Sequence, residues 1–217
     1  MENSKVGILS LPREIFRAHR NPENSVDLLG DSSIRRLTLT QLIWLLILAI
    51  PGTITGLVIL LVKGTFGQTV PGGPTSSPGE MLFADALLFV IAWIAYLFPV
   101  ALVRLWGLRF LGDTGTYRQV FRVAWMAAWP VIAIAALLRF VAVLVPGTAP
   151  PAVGYAQFAL SMILFLAGLF LEARYTVKVH RPLFGQNTGR AVVTWVSPFV
   201  IWFVFAWLMV QILGLFA

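Results

Sequence analysis

The sequence predicts an all-α integral membrane protein with five transmembrane helices, its N-terminus cytoplasmic and its C-terminus outside, preceded by a short interfacial helix. Three observations predict it. Of 217 residues, 59% are hydrophobic and only 12% are charged, about half the charge that a soluble domain carries; mean hydropathy is +0.85. Five segments, at about 41–62, 82–106, 120–145, 155–177 and 191–214, stay apolar over the roughly 20 residues that cross about 30 Å of hydrocarbon. Fourteen of the sixteen Lys and Arg residues fall in alternate connections, which places those connections on one side of the membrane.

The spans are helices because unsatisfied backbone is too costly in lipid for anything but helices or closed barrels, and continuous apolar runs lack barrel alternation. The first of them is read as a true span and not as a cleavable signal peptide. About 40 residues precede it, it exceeds the usual apolar length, and no small-residue cleavage site follows. The chain thus divides into a cytoplasmic arm, residues 1–40, and a five-helix membrane domain, residues 41–217.

In the arm, "LPREIFRAHRNPE" opens a helix with Pro12 and closes it before Pro22. Ile15 and Phe16 offer an apolar strip and Arg13, Arg17 and Arg20 a basic one, the pattern of a helix lying at the headgroup level. The connection after span 1, with "GQTVPGGPTSSPG" (67–79), and that after span 3, with "PGTAPP" (146–151), are Pro- and Gly-rich connectors, the first holding only Lys63 and the other no basic residue.

The other two connections are basic. Arg104, Arg109, Arg118 and Arg122 surround the turn "LGDTGTYRQ" after span 2, and Arg174, Lys178, Arg181 and Arg190 surround the turn "FGQNTGR" after span 4. In the first, Gly112 and Gly115 supply backbone freedom and Thr114 or Thr116 can cap the next helix. Together these residues form a basic inner face, suited to anionic headgroups or to a protein partner. The net charge of +7 is therefore orientation and headgroup attraction, and nucleic-acid binding is not expected.

Charge within the spans needs a partner. Asp85 and Arg139 lie at similar depth in spans 2 and 3, which are antiparallel neighbours, so they are expected to form an ion pair that staples the two helices. On that basis a double Asp85→Ala, Arg139→Ala variant should recover the folding yield that Asp85→Ala alone loses. Glu172, near the inner end of span 4, is expected to pair with Arg104, Arg190 or a neighbour at the membrane surface. "GTITG" (52–56) has the small-xxx-small spacing of closely packed helices. Pro51, Pro99, Pro130 and Pro198 punctuate four spans, and Trp125, Trp129 and Trp202 are expected to pack helix on helix.

Reaction chemistry is missing from the sequence. With no cysteine, the chain has no disulfide, thiolate-bound metal, iron–sulfur cluster or palmitoylation site. "GDTG" lacks the Lys-Ser/Thr of a phosphate loop, and neither a zincin His pair nor a nucleophile elbow occurs. His19 and His180 both fall on the cytoplasmic side, where a lone His is expected to be solvated. No cofactor, metal or catalytic residue is expected, and the chain is read as non-enzymatic.

Three stretches together resemble the Yip family of five-span proteins that interact with Ypt/Rab GTPases: "LPREIFRAHRNPE", "GDTGTYRQVFRVAWMAAWP" (112–130) and "VKVHRPLFGQNTGRAVVTWVSP" (177–198). Their order and the five-span layout match over nearly the whole chain. The best-known members carry a long cytoplasmic N-terminal region. The short arm here is similar instead to a bacterial-type member, implying the bacterial cytoplasmic (inner) membrane, and 13 Arg against 3 Lys fits a GC-rich genome. The reading that follows is a membrane scaffold or accessory subunit that binds other membrane proteins, possible partners including a multi-subunit complex. One alternative is a small transporter or channel using Asp85 and Arg139. Another is a lipid-organising or curvature protein acting through its N-terminal helix.

Overall fold

The computed structural model describes residues 11–25, 34–65, 77–144 and 150–214, and all regular structure among them is helical. Helix α1 (Leu11–Arg20) is followed by a 3₁₀ turn (Pro22–Ser25) and then by α2 (Ile34–Val62), α3 (Pro78–Phe110), α4 (Tyr117–Leu144), α5 (Pro151–Phe184) and α6 (Thr188–Gly214). The last five are each long and apolar enough to cross a membrane. The readings made of residues 1–10, 26–33, most of the 67–79 connector and 146–149 fall outside the described residues.

Every span is longer than its apolar run, and polar side chains satisfy the N-termini of α3, α4 and α6. At the start of α3, the Ser77 amide donates to Glu80 Oε2 (2.7 Å) and the Glu80 amide to Ser77 Oγ (3.3 Å), a reciprocal capping box. Thr116 and Gln119 do the same for α4, at 2.9 and 3.3 Å. Thr116, not Thr114, is therefore the cap. Asn187 Oδ1 accepts the Arg190 amide at the start of α6 (2.9 Å). Helix α3 ends on Gly112, whose φ of +80° only glycine adopts freely. Gly115 serves differently: a Cβ there would sit 3.0 Å from the Phe184 ring, so its hydrogen makes room for a close approach.

Two helix ends depart most from expectation: α2 begins seven residues before 41, at Ile34, and α5 runs seven residues past 177, to Phe184. Tyr175, Val179 and Phe184 are buried there, so tertiary packing carries the helix through a stretch with little apolar length. Pro51, Pro99, Pro130 and Pro198 each lie inside a continuous helix.

The chain packs as two compact units. One comprises the arm to Ile34, α3 from Tyr96, α4 as far as Ala127, α5 from Leu171, and α6. Its core is Leu97, Ala101, Leu108, Phe121, Trp125 and Val179, with the Phe98 and Phe121 rings 5.1 Å apart. The second comprises α2 from Arg35, α3 to Ala95, α4 from Ala128 and α5 to Phe170. Its core is Leu45, Ala49, Val90, Trp129, Ile132 and Ala136. Here Gly56 and Gly168 admit neighbours that a side chain would displace: a Cβ at Gly56 would meet Leu82 at 2.5 Å, and one at Gly168 would meet Ile134 at 2.9 Å. The "GTITG" spacing is thus a packing surface. Trp125 and Trp129 are buried as expected, whereas Trp202 is 48% exposed, within a stretch of α6, Val200–Gln211, that is exposed throughout.

In α1, Arg13, Phe16, Arg17 and Arg20 are exposed and spaced i, i+3, i+4, i+7, and so on one face, with Pro12 exposed beside them in the first turn. Phe16 therefore stands among the arginines and not opposite them. The other face packs into the first unit, with Ala18 fully buried and the His19 ring stacked 4.7 Å from Tyr175. Beyond the helix, Ser25 Oγ meets the same Tyr175 hydroxyl at 2.9 Å. The arm is tied down by protein contact, which expectation had assigned to lipid alone.

Candidate functional site

In a membrane helix, buried charge is the most informative feature. Among the described residues the second unit holds one ion pair, and the first holds two within a larger polar cluster.

The second unit brings Asp85 and Arg139 together. Arg139 Nε donates to Asp85 Oδ2 at 2.5 Å. The same guanidinium also reaches α2, where Nη1 donates to the Ala49 carbonyl (2.9 Å) and Nη2 to Thr53 Oγ1 (3.1 Å). Thr53 Oγ1 in turn donates to the Ala49 carbonyl (3.0 Å). Gly52 leaves the space for this, since a Cβ there would lie 3.1 Å from Arg139 Nη1. The arginine therefore joins three helices, not the two that the sequence suggests. Thr53 inside "GTITG" was the available signal. The Asp85 side chain is 59% exposed, so the arginine is the enclosed partner.

In the first unit, Arg104 Nη2 donates to Glu172 Oε1 at 2.6 Å, with both side chains buried. Arg104 was expected to stand on the basic face beside Arg109; with 0% exposure its charge is spent on Glu172 and it is corrected from that set. Glu172, expected at the surface, is buried for the same reason, because α5 continues for three more turns beyond it.

Glu172, Thr176 and His180 are spaced four apart on α5, which puts them on one face, and all three are buried. His180 was expected to be solvated. Its ring is enclosed instead, edge-on to Phe184 (4.9 Å), with Nδ1 3.3 Å from Gln186 Oε1. Gln186 Nε2 donates to Asp113 Oδ2 (2.7 Å) and Thr194 Oγ1 (3.1 Å), and Arg190 Nη1 donates to Asp113 Oδ1 (3.3 Å). Asp113 and Gln186 lock the two polar turns together. Neither was singled out from the sequence, where a lone acid and a lone amide in turns carry no pattern.

The remaining members of the basic set, Arg109, Arg118, Arg122, Arg174, Lys178, Arg181 and Arg190, all belong to the first unit, as do Arg13, Arg17 and Arg20. Arg109, Arg118, Arg174, Arg181 and Arg190 are exposed, whereas Arg122 and Lys178 are half-buried. His19, outside the spans, titrates below the ordinary imidazole value. Burial against Tyr175 disfavours its charged form and outweighs the carbonyls of Ile15 and Ala127, which favour it. Among the described residues no group of three His, Asp or Glu side chains is placed to hold a metal ion. Compared with protein-family models, with curated proteins and with solved structures, the chain matches none.

Proposed function

We propose that this is a non-enzymatic membrane scaffold or accessory protein that binds other membrane proteins through its helices and a basic cytoplasmic face. The observation that carries the reading is α6, in which every residue from Val200 to Gln211 is exposed on all sides. Helix α5 is similar over Ala152–Ala167, where no residue is buried. Helices associate in lipid by van der Waals packing and not by a hydrophobic drive. A half-helix that spends none of its surface inside the chain, and that carries Trp202, Phe203, Phe205 and Trp207, has its whole circumference available to a partner helix.

The basic residues gathered around the α3–α4 and α5–α6 turns of the first unit support a cytoplasmic placement of those turns by the positive-inside rule. They suit anionic headgroups or an acidic partner. The exposed Arg13–Phe16–Arg17–Arg20 face of α1 adds to the same surface. The five-span layout is the one the Yip resemblance implies, and a bacterial inner membrane is the proposed setting.

A photo-crosslinking residue at Phe203, with a second at Phe158, tests the reading in the native membrane. A discrete adduct with one membrane protein in fixed stoichiometry is the expected result. Adducts with lipid alone at both positions overturn it.

A second reading, a small transporter, is favoured by one specific feature: two ion pairs and a polar cluster within the membrane-spanning helices. It predicts solute flux that is lost when Arg139 or Arg104 is replaced.

A further inference from the structure

Four enclosed side-chain atoms around the Glu172 face of α5 have no hydrogen-bond partner among the described residues: Arg104 Nε and Nη1, Thr176 Oγ1 and His180 Nε2. Each such atom left dry costs about 1–3 kcal/mol, and a helical membrane protein has no spare water in lipid to relieve it. They are also ordered in space. Steps of four residues along α5 advance about 6 Å each, so Glu172, Thr176 and His180 form a file along one helix face. The Arg104 charge lies within electrostatic range of His180. From His180 the file passes to Gln186 (3.3 Å), then to Asp113 (2.7 Å) and Arg190 (3.3 Å), whose side chain is 50% exposed.

The chemistry of the unpaired atoms identifies what fills the file. Arg104 Nη2 holds Glu172 through one of its two N–H groups, and an anion drawn to the rest of the guanidinium would sit beside the Glu172 carboxylate, which repels it. What remains are single donors and acceptors pointing separately, each suited to one water that makes two to four hydrogen bonds. We propose that Arg104, Glu172, Thr176 and His180 line a water-filled vestibule that opens at the Asp113–Gln186–Arg190 end. It carries water as far as the buried ion pair. This stands independently of the partner-binding reading.

The absence of native cysteine makes the test direct. Thr176→Cys, Val179→Cys and Arg190→Cys are made singly and treated with a small, charged, membrane-impermeant methanethiosulfonate from either side of sealed vesicles. Thr176 and Val179 are equally enclosed, but only Thr176 is on the file. Thr176→Cys is expected to react about tenfold or more faster than Val179→Cys, whose reaction requires local opening of a packed helix. It should do so only from the side that labels Arg190→Cys. Thr194→Cys, beside Gln186, gives the same reading should Thr176→Cys fail to fold. Labelling of the file position as slow as Val179→Cys, or from the opposite side, overturns the vestibule. Equal and rapid labelling of both also overturns it, since that reports opening of the helix.

Discussion

Arg104 and Glu172 meet at 2.6 Å with side chains no more than 2% exposed, one on α3 and the other three helical turns from the end of α5. Both charges are enclosed, so each is tolerable only through the other. Replacing Glu172 by Leu leaves an uncompensated buried guanidinium and should cost about 3–5 kcal/mol, whereas exchanging both, Arg104→Met with Glu172→Leu, should be close to neutral. Thermal midpoints of the three variants in one detergent check this. A double variant as weak as the single one would show that Arg104 has a further role.

Arg139 and Asp85 differ in standing. Removing Asp85 takes one bond from the guanidinium, but removing Arg139 also strips Ala49 and Thr53 of theirs. The double Asp85→Ala, Arg139→Ala variant should therefore recover only part of the folding yield lost in Asp85→Ala. The residual deficit is on the order of 0.5–1.5 kcal/mol for each α2 hydrogen bond lost, since Ala49 and Thr53 stay bonded to each other. Full recovery would mean that the α2 bonds contribute nothing.

Gly56 and Gly154 make a matched pair of tests. Gly56→Ala places a methyl 2.5 Å from a Leu82 carbon and should destabilise by about 1–3 kcal/mol through overpacking. Gly154→Ala meets nothing within 4 Å on α5. It should be neutral or stabilising by up to about 1 kcal/mol through helix propensity. The order of the two thermal midpoints is the readout.

His19 gives the arm a pH dependence of defined sign. The docked ring titrates below 6.5 and the undocked ring at 6.5, so the docked arm binds fewer protons. Docking is fully present above 6.5 and weakens as pH falls below it. Trypsin cleavage after Arg17 and Arg20 should speed up below pH 6.5, after correction for the enzyme's own profile. In His19→Phe, which keeps a ring against Tyr175, the step should vanish.

The sequence by itself determined the five membrane helices, because a run of about 20 apolar residues has a single stable outcome in lipid. It also determined the Asp85–Arg139 partnership, because two charges in antiparallel neighbouring spans have few other ways to be satisfied. Only tertiary structure decided which basic residues are free. Arg104 and Arg109 are five apart and look alike in a charge count, yet one is enclosed against Glu172 and the other is exposed. It also decided that α5 runs on to Phe184, which encloses His180, and that the three arginines of α1 share a face with Phe16. The reason is the same in each case. Hydropathy is summed along the chain, whereas burial and pairing are set by neighbours remote in sequence, 68 residues apart for Arg104 and Glu172 and 90 for Arg139 and Ala49.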